Sequence, residues 1–215
     1  MPNKPIRSYH NNDDFIDLFE ERLCEFTGAP YAITTDRCTN AIILCLEYYK
    51  NKSQVLSIPK QTYLSVPMMI SNWGYNIEFR DEEWVGRYNI GGTNIWDCAQ
   101  GFEKDMYVPG TLQCVSFQTA KRLAIGKGGA ILFDDASMYE TLSRMRRDGR
   151  ETHTTTIQEM DKSHDRIIMG YHMNMSPDEA AKGVLLLNQL KPTYTPGSYL
   201  DYPDITVLKC FKDLE

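Results

Sequence analysis

No run in this chain approaches the roughly 20 consecutive apolar residues that cross a bilayer, so a membrane-spanning helix is not expected. The opening Met1-Pro2-Asn3-Lys4-Pro5 lacks the apolar core of a secretory leader, so secretion is not expected either. Basic charge is not in excess. Lys and Arg number 23 against 29 Asp and Glu, and the net charge of −6 gives no global attraction to nucleic acid or to an anionic membrane. Histidine is scarce: His10, His153, His164 and His172 show no ligand spacing with the cysteines, so a zinc site is not expected. Cys24, Cys38, Cys45, Cys98, Cys114 and Cys210 contain no CxxC pair. Most lie in apolar segments where a small thiol packs well, so reduced thiols in a cytoplasmic protein are expected rather than disulfides. No G-x-G-x-x-G follows a strand, which argues against a dinucleotide cofactor. Gly126-Lys127-Gly128-Gly129 lacks the Ser or Thr that a P-loop needs after Gly-Lys.

What is present is an ordinary globular composition, 42% apolar and 24% charged over 215 residues, enough for one full α/β domain. Phe15, Leu18, Phe19, Leu23 and Phe26 recur at helical spacing over residues 13–27, and Gly28-Ala29-Pro30 ends that helix. The patterns predict further helices over 39–49, 62–72, 135–147 and 177–190, with Pro67 a candidate kink. They predict strands over 31–34, 54–58, 75–79, 94–96, 113–117 and 130–133. Strands alternating with helices favour a mainly parallel sheet covered on both faces. Residues 148–168 read as an exposed loop, and from Lys191 onward Pro192, Pro196, Gly197 and Pro203 mark an extended tail. The expected organisation is one domain over 1–190 and a tail over 191–215.

Ligands in such sheets bind at the carboxyl ends of strands. Three groups fall there: Cys38-Thr39 after the first strand, Asp97 at the end of another, and Lys121 after a third. A lysine can hold an aldehyde as a Schiff base, and an upstream acid can keep a pyridine nitrogen protonated. Together they answer to pyridoxal phosphate (PLP) chemistry. Arg144, Arg146, Arg147 and Arg150 read as a solvated helix end, with a phosphate-binding patch as the sharper option.

The motifs resemble the DegT/DnrJ/StrS family of PLP-dependent sugar-nucleotide aminotransferases. Pro59-Lys60-Gln61-Thr62-Tyr63 resembles the family's P-S-x-T-aromatic segment, and Trp96-Asp97-Cys98-Ala99-Gln100 resembles E-D-A-A-Q. Ser116 to Lys121 followed by Gly126 to Gly129 resembles S-F-H-P-T-K and G-E-G-G, and Gly170 to Ser176 resembles G-Y-N-Y-R-M-S. The likeness spans roughly residues 15–190. It implies the large domain of the aspartate-aminotransferase type I fold, with the small C-terminal domain reduced or absent. Between Asp81 and Trp96 the chain is too short for the strand and helix the family normally has there.

The resemblance implies roles residue by residue. Lys121 would bind the cofactor aldehyde and shuttle a proton, and Asp97 would pair with the ring nitrogen. Gln100 would contact the ring hydroxyl or stack near the ring, and Tyr63 would stack on it. Cys38, Thr39 and Ser116 would hold the phosphate, the first two at a helix N-terminus. His172 would reach the phosphate of a neighbouring subunit, in place of the family's asparagine. Cys38 stands where the family has glycine, and Asn174 where it has arginine. The implied activity is transfer of an amino group from glutamate or another amino acid to a keto-sugar nucleotide, in a homodimer with sites at the interface. The alternative is a PLP-binding scaffold with little or no turnover. Dehydratase relatives generally lack the lysine, so Lys121 argues against that reaction.

Overall fold

The computed structural model describes residues 14–150, 167–191 and 193–212. His10, His153, His164 and most of the 148–168 loop lie outside the described residues. Helix α1 (Asp14–Thr27) buries Ile16, Phe19, Glu20, Leu23 and Thr27, a stripe at i, i+3, i+4, i+7 and i+11. Phe15 lies off that stripe and is exposed. Gly28, at φ 79°, turns the chain out of the helix, its N–H bonded to Cys24 O at 2.9 Å. Helix α5 (Pro177–Leu187) starts with a capping box between Ser176 and Glu179, with proline in the first turn. It packs on α1 at Gly183, where a Cβ would meet the Phe19 ring at 2.6 Å.

Strands β1 (Tyr31–Thr35), β4 (Tyr88–Asn89), β5 (Ile95–Asp97), β6 (Leu112–Ser116) and β7 (Gly129–Phe133) form one sheet in the order β1-β7-β6-β5-β4. Strands β2 (Val55–Pro59) and β3 (Asn76–Arg80) pair parallel as a second sheet. A two-way bond between Ser57 and Gly91, at 2.8 and 3.3 Å, joins the two sheets at the β4 edge. Side chains alternate across the main sheet as the pleat requires. Ile33, Ile131 and Phe133 face α2 (Cys38–Tyr49), α3 (Ser65–Asn72) and α4 (Ala136–Met145), while Ala32, Ala130 and Leu132 face α1 and α5. Pro67 sits in the first turn of α3, where its missing N–H costs nothing, so it does not break the helix.

The fold is α/β as expected, and the sheet is mixed. β5 and β6 run parallel, whereas β1/β7, β6/β7 and β4/β5 are antiparallel. The physical reason at β4 is length. A parallel strand needs a crossover of about a dozen or more residues, whereas an antiparallel one needs only a tight turn. The short stretch after β3 therefore closes as a hairpin into β5, with Gly92 at φ 84° in the turn. Asn89 pins that turn by donating to Thr93 O and Ile95 O, both at 3.0 Å.

Residues 193–212 fold back over the β2–β3 side. Gly86 N donates to Gly197 O at 2.8 Å, Ile205 N to Lys60 O at 2.9 Å, and Tyr199 N to Trp84 O at 3.1 Å. Two short 3-10 turns, Tyr199–Asp201 and Ile205–Val207, lead to α6 (Lys209–Lys212), where Phe211 packs edge-on to Phe79 at 5.3 Å. Arg146 is not on a solvated helix end. It is fully buried and donates to Glu20, Thr34 O and Thr34 Oγ1, tying α4 to α1 and β1. Arg144 pairs with Glu140, and Arg150 with Asp148, so these arginines serve local structure. Among the described residues no helix is long and apolar enough to cross a membrane.

Candidate active site

A cavity of about 610 Å³ opens at the carboxyl end of β5 and β6 and at the N-terminus of α2. Each wall follows from the sheet order. β6 carries Ser116 to its floor, and the turn that follows, closed by Lys121 N–H to Gln118 O at 2.9 Å, presents Lys121. Asp97 ends β5, next to β6. The first turn of α2 brings Cys38 and Thr39 to the same space, and no side chain caps that helix. Its leading N–H groups and partial positive charge therefore face the cavity. Gly129 makes this placement possible: a Cβ there would lie 2.4 Å from Cys38 N, so only glycine lets β7 run so close beneath the helix start.

Asp97 is buried. Its Oδ1 accepts from Ala99 N at 2.9 Å, and its Oδ2 accepts from Tyr88 OH at 2.8 Å. Burial pushes its carboxyl above the ordinary aspartate range, while Ala99, Tyr88 and Lys121 act against that rise. Among the described residues the Lys121 amine has no hydrogen-bond or ion-pair partner, its backbone N–H alone being bonded. Burial pulls its amine below the usual lysine range, and Asp97, Cys38 and Asp201 pull it back up. Burial also raises the Cys38 and Cys98 thiols, which keeps them protonated and poor nucleophiles.

Of the residues singled out from the sequence, Cys38, Thr39, Tyr63, Asp97, Gln100, Ser116 and Lys121 line this one cavity. Thr39 Oγ1 lies 2.7 Å from Ser65 Oγ, which places a second hydroxyl beside the helix end. Tyr63 sits at the rim, 50% exposed. Gln100 is already engaged, its side-chain Nε2 donating to Tyr202 OH at 2.6 Å and its main-chain carbonyl accepting from Tyr194 OH at 2.8 Å. His172 does not join them: its side chain is exposed, with Nδ1 3.3 Å from Asp148 Oδ2. Arg37 and Lys127 line the mouth. Three lining or supporting residues had no motif to reveal them, namely Asp201 and Tyr202 from the returning tail and Tyr88 behind Asp97.

These features define the large domain of the aspartate-aminotransferase type of fold. The chain belongs to the DegT/DnrJ/EryC1/StrS aminotransferase family, whose model matches residues 7–85 and 95–195. The segment the match skips contains the β4 hairpin. Among solved structures, 3-amino-5-hydroxybenzoic acid synthase is similar at 18% identity and a TM-score of 0.65, over 82% of this chain and 56% of that one. The sugar aminotransferase CalS13 from Micromonospora echinospora is similar at 15% identity and a TM-score of 0.68, over 81% and 60%. GDP-4-keto-6-deoxymannose-3-dehydratase, with a trapped PLP-glutamate geminal diamine, is similar at 14% identity and a TM-score of 0.61, over 82% and 61%. At these identities the likeness is one of fold, and the chain spans less than two thirds of each of these structures. Among curated proteins none matches the chain.

Proposed function

We propose that this protein is a PLP-dependent aminotransferase that moves an amino group from an amino acid, glutamate first among them, to a keto-sugar nucleotide. The observation that carries the reading is the convergence of Lys121, Asp97, Ser116 and the uncapped start of α2 on one cavity. These residues fit the cofactor. The helix end, Thr39 and Ser116 offer donors for a phosphate, Asp97 is a buried acid for a ring nitrogen, and Lys121 is an amine without an ionic partner among the described residues. When bound, PLP supplies an aldehyde for amines and a ring that accepts electron density. Lys121 Nζ, partly desolvated and so more often neutral, would hold the aldehyde and would move a proton at the substrate's reacting carbon. Asp97 would keep the ring nitrogen protonated, and Tyr63 at the rim would offer its ring to the cofactor's face. Arg37 and Lys127 offer cationic groups to a carboxylate or phosphate entering from the mouth.

The glutamate named with one similar structure and the sugar aminotransferase named with another support the choice of donor and acceptor. The reading includes a cofactor domain over 1–190, a tail over 191–215, a cytoplasmic location, and a homodimer in which His172 serves the partner's phosphate. A second reading has its own observation. Gln100 is occupied by Tyr202, and Cys38 replaces the family's glycine, as in a PLP-binding scaffold with little turnover. One titration separates the two. Purified protein given PLP is expected to develop a visible absorption band, which Lys121→Ala abolishes and glutamate converts. A band that glutamate leaves unchanged favours the scaffold, and protein that stays colourless with PLP overturns both.

A further inference from the structure

Tyr88 belongs to the hairpin strand that replaces the family's missing strand and helix, in a segment the family model does not match. It stands directly opposite Asp97 in the β4–β5 register, so the two side chains emerge on one face of the sheet. Both are buried. Tyr88 OH gives its one proton to Asp97 Oδ2 at 2.8 Å. Thr62 Oγ1 lies 2.6 Å from the same phenol oxygen, and with that proton committed, Thr62 must be the donor. The chain Thr62 to Tyr88 to Asp97 thus points every proton toward the carboxylate. With Ala99 N on Oδ1, both oxygens are held, and each keeps a lone pair for the cavity.

We infer that Tyr88 is a positioning residue that holds Asp97 ionised and oriented toward the cavity, a duty taken up by the strand that closes the shortened segment. The inference rests on the PLP reading for its purpose, though not for its geometry. Other titratable groups face Asp97: Lys121 from the β6–β7 turn, Cys38 from α2, Cys114 from β6, its neighbour Cys98, and Tyr202 from the tail. Burial keeps the three thiols and Tyr202 neutral, which leaves Lys121 as the charged member of this set.

The test uses the full chain in two states. Without cofactor, carbon-13 NMR of the Asp97 carboxyl in Tyr88→Phe is expected to show a titration midpoint higher by about one pH unit, since a hydrogen bond to a charged group is lost. Thr62→Val, which keeps the phenol, is expected to move it the same way by less. With cofactor, Tyr88→Phe is expected to bind PLP about tenfold more weakly. A role confined to packing would lower the melting temperature without moving the carboxyl midpoint, and that result overturns the inference. If Tyr88→Phe does not fold, Thr62→Val decides by the same readout. A shifted midpoint in protein whose wild type takes up no PLP would sink the functional reading while leaving the positioning role intact.

Discussion

At the scale of single residues, Asp97 carries a cost that its position explains. Burial holds its carboxyl above the ordinary aspartate range, so the folded protein binds that proton more tightly than the unfolded chain. Stability from this group is therefore lost as pH rises from the unfolded value through the folded one, and it stays lost above. Asp97→Asn removes the ionisation. In cofactor-free protein the variant is expected to gain on wild type as pH climbs past about 4. Urea unfolding midpoints across that range check this, and a difference that does not change with pH contradicts it. Such a residue, expensive to bury yet kept, fits a site whose chemistry needs a charge. The sequence made Asp97 and Lys121 legible because their spacing follows motifs. Tyr88 was not legible, since a tyrosine between a charged residue and an asparagine has no local signature and its value depends on a partner across a strand pair. Arg146 was misread for a related reason. A helix-end arginine gives no sign of burial until Glu20 and Thr34, distant in sequence, are seen to surround it.

At the scale of elements, periodicity located the long helices and core strands among the described residues to within a few residues. Each of these has a face whose burial its own side chains dictate. The β4 strand escaped because two residues cannot show alternation, and because a gap in the sheet selects it rather than any propensity. The contact between β7 and α2 makes a sharper test of how elements build the site. Gly129 has no positive φ to require glycine, so the demand is purely spatial: an added methyl would strike the backbone of Cys38 and Arg37. Gly129→Ala is expected to cost about 1–3 kcal/mol as an overpacked contact. The variant is also expected to weaken PLP binding, because the start of α2 must move off the cavity. Denaturant unfolding and a PLP titration measure the two effects. A destabilised variant with wild-type PLP affinity would mean that α2 does not hold the phosphate.

At the scale of the whole molecule, the chain aligns with little more than half of the structures it resembles, and a cavity left without the rest of such a protein would stand open to water. The returning tail bears on that problem. Tyr202 and Asp201 wall the cavity from the β2–β3 side, and Tyr202 OH is tied to Gln100. Gln61 Nε2 donates to Tyr202 O at 3.2 Å, Trp84 Nε1 donates to Gln61 O at 2.9 Å, and the Trp84 and Tyr202 rings lie 5.7 Å apart. The tail is thus fixed by side chains on both sides of the hairpin segment, so the shortened sheet and the cavity wall depend on each other. A proline-rich stretch read alone gives an extended tail, because its contacts lie more than a hundred residues away in the chain. If the tail shields the cavity, Tyr202→Ala should leave the fold intact and expose Lys121. Acetylation of Lys121 in the cofactor-free protein, followed by mass spectrometry, is then expected to run several-fold faster than in wild type. Bound PLP should protect that lysine in both proteins. An unchanged rate in the variant would mean that the tail packs beside the cavity without guarding it.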